Sequence, residues 1–261
     1  MNNKPKALAF DLDGTLTPSK SHLEADMAKV LIKLLEHMPF AIVSGASWKQ
    51  FETQLLGYFP RNEKNFDNLY LFSENGASLT VHKDGVWSTQ YRNSFDDIES
   101  TKIIKELNKI VDKYELSRNL GFGELIENRG AQITLSALGQ KAPLELKEKW
   151  DPDQVKRKAM KIDLDLLLSD YEIRIGGSTS IDITKKGINK AMAINKFLEI
   201  LKIQKEELIF FGDATFSGGN DEIVKETGVE CRQVDNPEQT IAELRDIISL
   251  YEKTDRHSSM G

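Results

Sequence analysis

The strongest constraint in this sequence is a pair of aspartates that directly follows its first apolar run. Ala7–Phe10 has the length and character of a short buried strand, and Asp11, Asp13 and Gly14 come immediately after it. Two carboxylates in a water-poor site repel each other, and a bound cation removes that repulsion. The pair therefore predicts a Mg²⁺ site at the carboxyl end of a strand, where α/β sheets bind their ligands. Taken alone, the pattern also fits a strand that ends in an ordinary Asp-Gly turn, so residues elsewhere must decide.

Composition and charge exclude several classes of protein. The chain has 261 residues, of which 39% are hydrophobic and 29% charged, as expected for soluble globular domains. Its net charge of -6 argues against nucleic acid as a partner. The single cysteine, Cys231, excludes an internal disulfide and a thiolate zinc cluster. No apolar run approaches the roughly 18 residues of a membrane span, and Asp11 arrives before a signal-peptide core could form. We therefore expect a cytoplasmic protein without a membrane partner.

The order of apolar segments predicts two kinds of structure. Short buried strands alternate with amphipathic helices near both ends of the chain, which is typical of a parallel doubly wound sheet. The middle of the chain instead has paired alternating strands with helices between them, which is typical of an α+β unit with an antiparallel sheet. We predict an α/β fold with a Rossmann-like parallel-sheet core, residues 1–85 and 186–261, and an inserted domain, residues 86–185. In that domain a helix starting at Asp151 is predicted to bury four apolar side chains, those of Val155, Ala159, Ile162 and Leu166.

Further polar residues follow other core strands. Ser44 ends the second strand, Asp213 ends a late buried strand, and Asn220 and Asp221 come soon afterwards. Because the carboxyl ends of parallel strands meet at one rim, these side chains should lie near Asp11. Lys190, at the start of a helix, would supply positive charge there. This set suits phosphoryl transfer.

Each residue type fits a role in that chemistry. Asp11 would attack phosphorus and form an aspartyl-phosphate, while Asp13 would protonate the leaving oxygen and later accept a proton. Ser44 and Lys190 would hold the phosphoryl oxygens and balance their charge. The residues expected to bind or support Mg²⁺ offer oxygen atoms, and they are Asp11, Asp13 through its carbonyl, Asp213, Asn220 and Asp221.

Several motifs taken together resemble a known family. They are Asp11-Leu12-Asp13-Gly14-Thr15-Leu16-Thr17, Glu74-Asn75-Gly76, Ile126-Glu127 with Arg129, Ile175-Gly176-Gly177 with Ser180 and Asp182, Lys190, Phe210-Phe211-Gly212-Asp213 with Thr215, and Gly218-Gly219-Asn220-Asp221. This set resembles the haloacid dehalogenase superfamily, subclass IIB, in which a cap domain is inserted after the third core strand. Within it, the chain is similar to the eukaryotic-type phosphomannomutases.

The resemblance implies a small phosphorylated sugar as substrate. The cap would close over it and exclude water from the site. The cap residues implied in substrate binding are Arg129, Gln140, Gly176, Gly177, Ser180 and Asp182. The resemblance further implies a homodimer formed through the cap.

Two departures from the family pattern favour hydrolysis over mutase activity. Gln140 stands where these mutases usually have an arginine, and glutamine replaces neither the charge nor the bidentate geometry. Ser44-Gly45-Ala46-Ser47 also has the form common in the phosphatases. The expectation from sequence is therefore a phosphosugar phosphatase, with a phosphomannomutase as the alternative. A protein that binds a sugar phosphate without catalysis is a more remote alternative, because every catalytic residue type is present.

Overall fold

The computed structural model describes residues 4–19, 21–59 and 65–258. Its contacts divide the chain into two compact units, Met1–Gln90 with Lys190–Gly261, and Tyr91–Asn189. The first unit is discontinuous, because the second is inserted between its two segments. The domain boundaries proposed from the sequence stay a prediction.

Strands and helices alternate along most of both segments of the first unit, except that its first segment ends in three successive strands. The strands of the whole described chain are β1 (Ala7–Phe10), β2 (Phe40–Val43), β3 (Leu69–Ser73), β4 (Ser78–Lys83), β5 (Val86–Arg92), β6 (Ile126–Asn128), β7 (Ile133–Ser136), β8 (Tyr171–Ile175), β9 (Ser180–Lys185), β10 (Leu208–Gly212) and β11 (Glu230–Gln233). The α-helices are α1 (Ala25–Leu35), α2 (Trp48–Gln54), α3 (Asp97–Lys113), α4 (Leu144–Trp150), α5 (Val155–Leu167), α6 (Lys190–Leu201) and α7 (Pro237–Ser258). Among the described residues, no helix combines the length and apolar character needed to cross a bilayer.

The larger sheet has seven strands in the order β11-β10-β1-β2-β3-β4-β5. Strands β11 to β3 run parallel, and β4 pairs with β3 in the antiparallel sense. All four residues of β1 are fully buried, as expected for a central parallel strand covered on both faces. Phe10 is in register with Ile42 of β2 and Phe211 of β10, so the loops after these three strands emerge side by side.

The second unit contains a four-stranded antiparallel sheet in the order β6-β7-β9-β8. Helices α3 and α5 pack against it and against each other. Ile103, Leu107 and Leu164 from these helices share a core with Ile133 and Ile183 from the strands. A parallel-sheet core with a separate antiparallel unit is the fold class predicted from the sequence, and that prediction is confirmed.

The predicted buried face of the helix after Asp151 is wrong. Helix α5 begins at Val155 instead, and the shorter helix α4, which the sequence pattern did not predict, precedes it. Val155, Ile162 and Leu166 are 61%, 64% and 78% exposed. The face that packs on the sheet carries Met160, Leu164 and a buried arginine, Arg157. Apolar periodicity missed this face because it counts an arginine as a surface residue, whereas Arg157 is buried with Asp151 as its ion-pair partner.

Candidate active site

The carboxyl ends of β1 and β10 bring together residues from both segments of the first unit. Lys190, the first residue of α6, is 3% exposed. Its Nζ donates hydrogen bonds to Oδ1 of Asp11 and to Oδ1 of Asp221, both at 2.6 Å. Carboxylate oxygens of Asp11, Asp213 and Asp221 lie within 4.8 Å of one another. The structure thus brings together four of the residues singled out in the sequence.

Two glycines make room for this cluster. Gly14 has a φ of +85°, and a Cβ atom there would lie 2.5 Å from Oδ2 of Asp213. A Cβ atom on Gly212 would lie 2.4 Å from Oδ2 of Asp221. Both approaches are shorter than any real Cβ contact, so side chains at these positions would push the carboxylates away. This close packing explains why a glycine follows the first aspartate pair and precedes Asp213.

Burial and mutual repulsion set the protonation behaviour of the cluster. Burial raises the pKa of Asp11 well above its usual range, the charges of Asp221 and Asp213 add to the rise, and Lys190 opposes it. Burial, with a further contribution from Asp221, raises the pKa of Asp213 to about 6. Burial lowers the pKa of Lys190, but the two neighbouring carboxylates outweigh it and hold that pKa above its usual value. Lys190 is therefore a permanent cation at neutral pH.

The donor set fits a hard divalent cation. Three carboxylates share one ammonium group, so the ionised cluster keeps an excess of negative charge. Oxygen ligands of this kind are those that Mg²⁺ prefers, and a second cation would relieve the repulsion that raises the pKa values of Asp11 and Asp213. Asp13 is half-buried on the same loop, and its charge also contributes to the raised pKa of Asp213. Asn220 directly precedes Asp221 and is half-buried.

Ser44 lies at the end of the neighbouring strand and is 4% exposed. Its hydroxyl accepts a hydrogen bond of 3.1 Å from the backbone N–H of Ala46. Its carbonyl accepts one of 2.8 Å from the N–H of Asn75, and the N–H of Glu74 donates to the Ala46 carbonyl at 2.9 Å. Glu74 and Asn75 both have a positive φ, at 55° and 57°, which the three-residue turn after β3 requires. The Glu74-Asn75-Gly76 motif thus fixes the loop that carries Ser44.

The predicted substrate-binding residues all lie in the second unit. Arg129 donates from Nε and Nη2 to Oε2 of Glu127, at 2.9 and 2.6 Å. Gln140 has a buried side-chain Nε2 without a hydrogen-bond partner among the described residues, and its carbonyl accepts a bond of 2.9 Å from Lys147 Nζ. The amide of Gln140 is thus a neutral donor at a position where the mutases that the sequence resembles usually have an arginine.

The remaining predicted residues meet at the hairpin between β8 and β9. The N–H of Gly176 donates to the carbonyl of Ser180 at 2.9 Å. A Cβ atom on Gly176 would lie 3.0 Å from Oδ2 of Asp182, so the loop passes close over that carboxylate. Oδ1 of Asp182 accepts a bond of 2.8 Å from Thr134, whose hydroxyl accepts one of 2.9 Å from Gln132.

Sequence reasoning missed four polar residues around this hairpin. They are Gln132, Thr134, Asp151 and Arg157, and all are buried. Gln132 directly precedes β7 and Thr134 lies within it, and in an alternating pattern their polarity predicts exposure rather than burial. Asp151 and Arg157 flank the start of a helix, where charged residues are common without any special role. No local sequence signal distinguishes these four residues.

Comparison with known proteins agrees with this arrangement. A family model described as eukaryotic phosphomannomutase matches residues 27–250. The phosphomannomutase of Spinacia oleracea is 31% identical over 256 residues, which cover 95% of this chain and 98% of that protein. The phosphomannomutase of Schizosaccharomyces pombe is 29% identical over 254 residues, which cover 94% of this chain and 96% of the relative.

Solved structures share the fold at lower identity. An N-terminally truncated, IMP-bound IMP-nucleotidase of Plasmodium falciparum has a TM-score of 0.68 and 20% identity, and covers 95% of this chain and 69% of its own. A haloacid dehalogenase-like hydrolase of Bacteroides thetaiotaomicron has a TM-score of 0.62 and 17% identity, and covers 94% of this chain and 100% of its own. The family match and the relatives, which extend over nearly the whole chain, go further than the fold. This chain belongs to the eukaryotic phosphomannomutase family, a family of enzymes.

Proposed function

We propose that this protein is a phosphomannomutase, which interconverts mannose 6-phosphate and mannose 1-phosphate through an aspartyl-phosphate on Asp11. The observation that carries the proposal is the contact between Asp11 and Lys190 inside a three-carboxylate cluster, in a chain that matches phosphomannomutases nearly end to end. The departures at Gln140 and Ser44 favoured hydrolysis when the sequence was taken alone. The family match gives the mutase the stronger support.

In the proposed reaction, an oxygen of Asp11 forms a bond to phosphorus as the bond between phosphorus and the sugar oxygen breaks. Asp13 gives its proton to the departing sugar oxygen and takes a proton from the hydroxyl group that later attacks the aspartyl-phosphate. Ser44 donates its hydroxyl hydrogen to a phosphoryl oxygen. Lys190, 2.6 Å from Asp11, opposes the rise that burial causes in the pKa of Asp11, and so favours the ionised carboxylate, which is the nucleophilic form.

Asp11, Asp213 and Asp221, with the carbonyl of Asp13 and support from Asn220, would hold a Mg²⁺ ion. When bound, that ion offsets the repulsion between the carboxylates and the negatively charged phosphoryl group. The identity of the metal is part of the proposal, and it is supported by an all-oxygen donor set without histidine or cysteine.

In the second unit, Arg129, Gln140, Gly176, Gly177, Ser180 and Asp182 would bind the sugar phosphate. Arg129 is held by Glu127, and Asp182 by Thr134, so both charged groups are oriented before any ligand arrives. A mutase must bind each end of a sugar bisphosphate in alternation, which places a demand on these residues that a phosphatase does not share. The homodimer through this unit stays a prediction.

A phosphosugar phosphatase is the second candidate function. The observation in its favour is Gln140, whose buried Nε2 offers a hydrogen bond without a charge. A neutral group holds a phosphate dianion less tightly than a guanidinium does. Weaker retention of a bisphosphate would give water more opportunity to accept the phosphoryl group from Asp11. Binding of a sugar phosphate without catalysis has less support, because the carboxylate and ammonium groups needed for transfer lie in contact.

Product identity distinguishes these candidates. The protein is incubated with mannose 1-phosphate, Mg²⁺ and a trace of glucose 1,6-bisphosphate, and the reaction is followed by phosphorus NMR. Accumulation of mannose 6-phosphate supports the mutase. Release of inorganic phosphate alone supports the phosphatase, and an unchanged spectrum supports the binding protein.

A further inference from the structure

A buried ion pair lies beside the hairpin between β8 and β9. Arg157 and Asp151 are 3% and 2% exposed, and Nε of Arg157 donates to Oδ2 of Asp151 at 2.8 Å. Removing two charges from water is unfavourable unless further hydrogen bonds satisfy them. The hydrogen bonds around this pair therefore show which parts of the chain it holds in place.

The Asp151 carboxylate is satisfied by the first turn of α5. It accepts hydrogen bonds from the backbone N–H groups of Lys156 at 3.0 Å and Arg157 at 3.1 Å. The carbonyl of Asp151 accepts a further bond of 2.9 Å from Nη2 of Arg157. Asp151 thus fixes two of the three guanidinium nitrogen atoms of Arg157, Nε and Nη2.

The third nitrogen of the guanidinium reaches the hairpin. Nη1 of Arg157 donates to the carbonyl of Gly176 at 3.1 Å and also to the carbonyl of Gly177. Because a trans peptide is planar, the N–H that follows each carbonyl points the opposite way. The N–H groups of Gly177 and Ser178 therefore face away from Arg157, and in the described part of the chain neither meets an acceptor.

We propose that Arg157, held by Asp151, is a positioning residue for the sugar phosphate. Its hydrogen bonds fix the orientation of the peptide planes of residues 176–178. In this way they also fix the position of this loop relative to Ser180 and Asp182. The inference rests on the proposed function, since it assumes that this hairpin contacts the substrate. Arg157 itself faces the other side of the loop and does not need to touch the ligand.

Only an arginine can make this set of contacts. Its planar fork addresses Asp151 and two carbonyls at once, whereas a lysine ammonium is a compact charge on a flexible stem. Arg157→Lys keeps the charge that pairs with Asp151 but loses the fork, so the loop should be released while the ion pair remains. The matched control is Leu164→Ala, which removes a buried apolar side chain from the same helix and leaves the hydrogen-bonding groups of Arg157 in place.

The test compares steady-state kinetics of wild type, Arg157→Lys and Leu164→Ala with mannose 1-phosphate. We expect Arg157→Lys to raise KM about tenfold with little change in kcat, as for loss of a charge-assisted contact that orders the binding loop. Leu164→Ala should leave KM unchanged, although it should lower thermal stability about as much as Arg157→Lys does. An unchanged KM in Arg157→Lys, or an equal rise in both variants, overturns the inference.

A second measurement, of NMR chemical shifts, does not depend on enzymatic turnover. The amide proton and nitrogen shifts of Gly177 and Ser178 should change in Arg157→Lys and not in Leu164→Ala. If Arg157→Lys does not fold, Asp151→Asn takes its place, because it keeps a hydrogen-bond acceptor for Arg157 but removes the charge. It should change the same amide shifts to a smaller extent. If wild type turns over no hexose phosphate, the proposed function fails, while these shifts still decide the role of Arg157. If the amide shifts of Gly177 and Ser178 are the same as in wild type in both Arg157→Lys and Asp151→Asn, that role is contradicted.

Discussion

Lys190 Nζ lies 2.6 Å from Oδ1 of Asp11, although 179 residues separate the two in the chain. Asp11 precedes the inserted unit and Lys190 is the first residue after it. The contact therefore forms only when both segments of the first unit have come together. Assembly of the carboxylate cluster therefore depends on folding of the whole discontinuous unit.

Replacing Lys190 should expose how strongly the carboxylates repel each other. Among the described residues, Lys190 is the only lysine that forms an ion pair with Asp11 and Asp221, and Lys190→Met removes its ammonium group. When a chelator keeps divalent cations away from the cluster, loss of one partner from a buried ion pair should lower the free energy of unfolding by about 3–5 kcal/mol. Urea unfolding with and without Mg²⁺ measures this, and added Mg²⁺ should stabilise the variant more than wild type.

Lys196→Met is the matched control for this experiment. Lys196 lies on the same helix and pairs with Glu199, but both side chains are largely exposed to solvent. We expect a change below about 1 kcal/mol and no added effect of Mg²⁺. Equal losses in the two variants would show that the cluster does not depend on Lys190.

Asp11→Asn should stop phosphoryl transfer without unfolding the protein. Asparagine retains an oxygen that can accept the hydrogen bond from Lys190, but its amide is not a nucleophile. We expect kcat to fall by about 10⁴-fold or more, with an unchanged circular dichroism spectrum. Asp26→Asn, on the exposed face of α1, should behave as wild type. Turnover that survives in Asp11→Asn would assign the nucleophile to another residue.

Gln140→Arg should shift the balance between transfer to sugar and transfer to water. The buried, unpartnered Nε2 of Gln140 would be replaced by a charged fork that can hold a phosphate in a bidentate manner. We expect the ratio of mannose 6-phosphate formed to inorganic phosphate released to rise about tenfold. Gln140→Leu, which removes the donor, should not raise it. An unchanged ratio in the arginine variant would mean that position 140 does not contact the substrate.

The pair of Asp151 and Arg157 predicts a pH dependence of stability. Burial raises the pKa of Asp151, but hydrogen bonds from the Arg157 side chain and from the N–H groups of Lys156 and Arg157 outweigh it, so the net pKa is lowered. A carboxyl group with a lowered folded-state pKa stabilises the fold above its unfolded-state pKa of about 3.9, and this stability is lost as pH falls through the folded-state value.

The difference in unfolding free energy between wild type and Asp151→Asn should therefore be largest near neutral pH and shrink below about pH 4. Denaturant titrations at a series of pH values measure it. Asp112→Asn is the control, because Asp112 pairs with Arg118 in an exposed position. Its effect should stay small throughout. A difference for Asp151→Asn that does not vary with pH would contradict the assignment.

The core part of the candidate site could be predicted from the sequence because a parallel sheet converts sequence order into position. Once β1 and β10 are neighbours, Asp11 and Asp213 must emerge side by side whatever the loops do. Gly14 and Gly212 are consistent with this position in the sequence, since only glycine leaves room for the adjacent carboxylates.

The cap part could not be predicted in the same way. Arg157 reaches Gly176 and Gly177 across 19 and 20 residues through hydrogen bonds to backbone carbonyls, which leave no trace in residue type. The same residue accounts for the wrong prediction of the buried face of α5, because that face contains a paired arginine, Arg157, which an apolar pattern does not include. Ile162 and Leu166, which the apolar pattern placed on the buried face, are exposed.

We propose that Asp11 passes a phosphoryl group between sugars, and one measurement tests this transfer directly. The protein is mixed with glucose 1,6-bisphosphate labelled in its phosphoryl groups, mannose 1-phosphate is added, and the reaction is quenched at short times. We predict that label appears first on the peptide containing Asp11 and then in a mannose bisphosphate. Label that passes from Asp11 only into inorganic phosphate, or that never appears on Asp11, would contradict it.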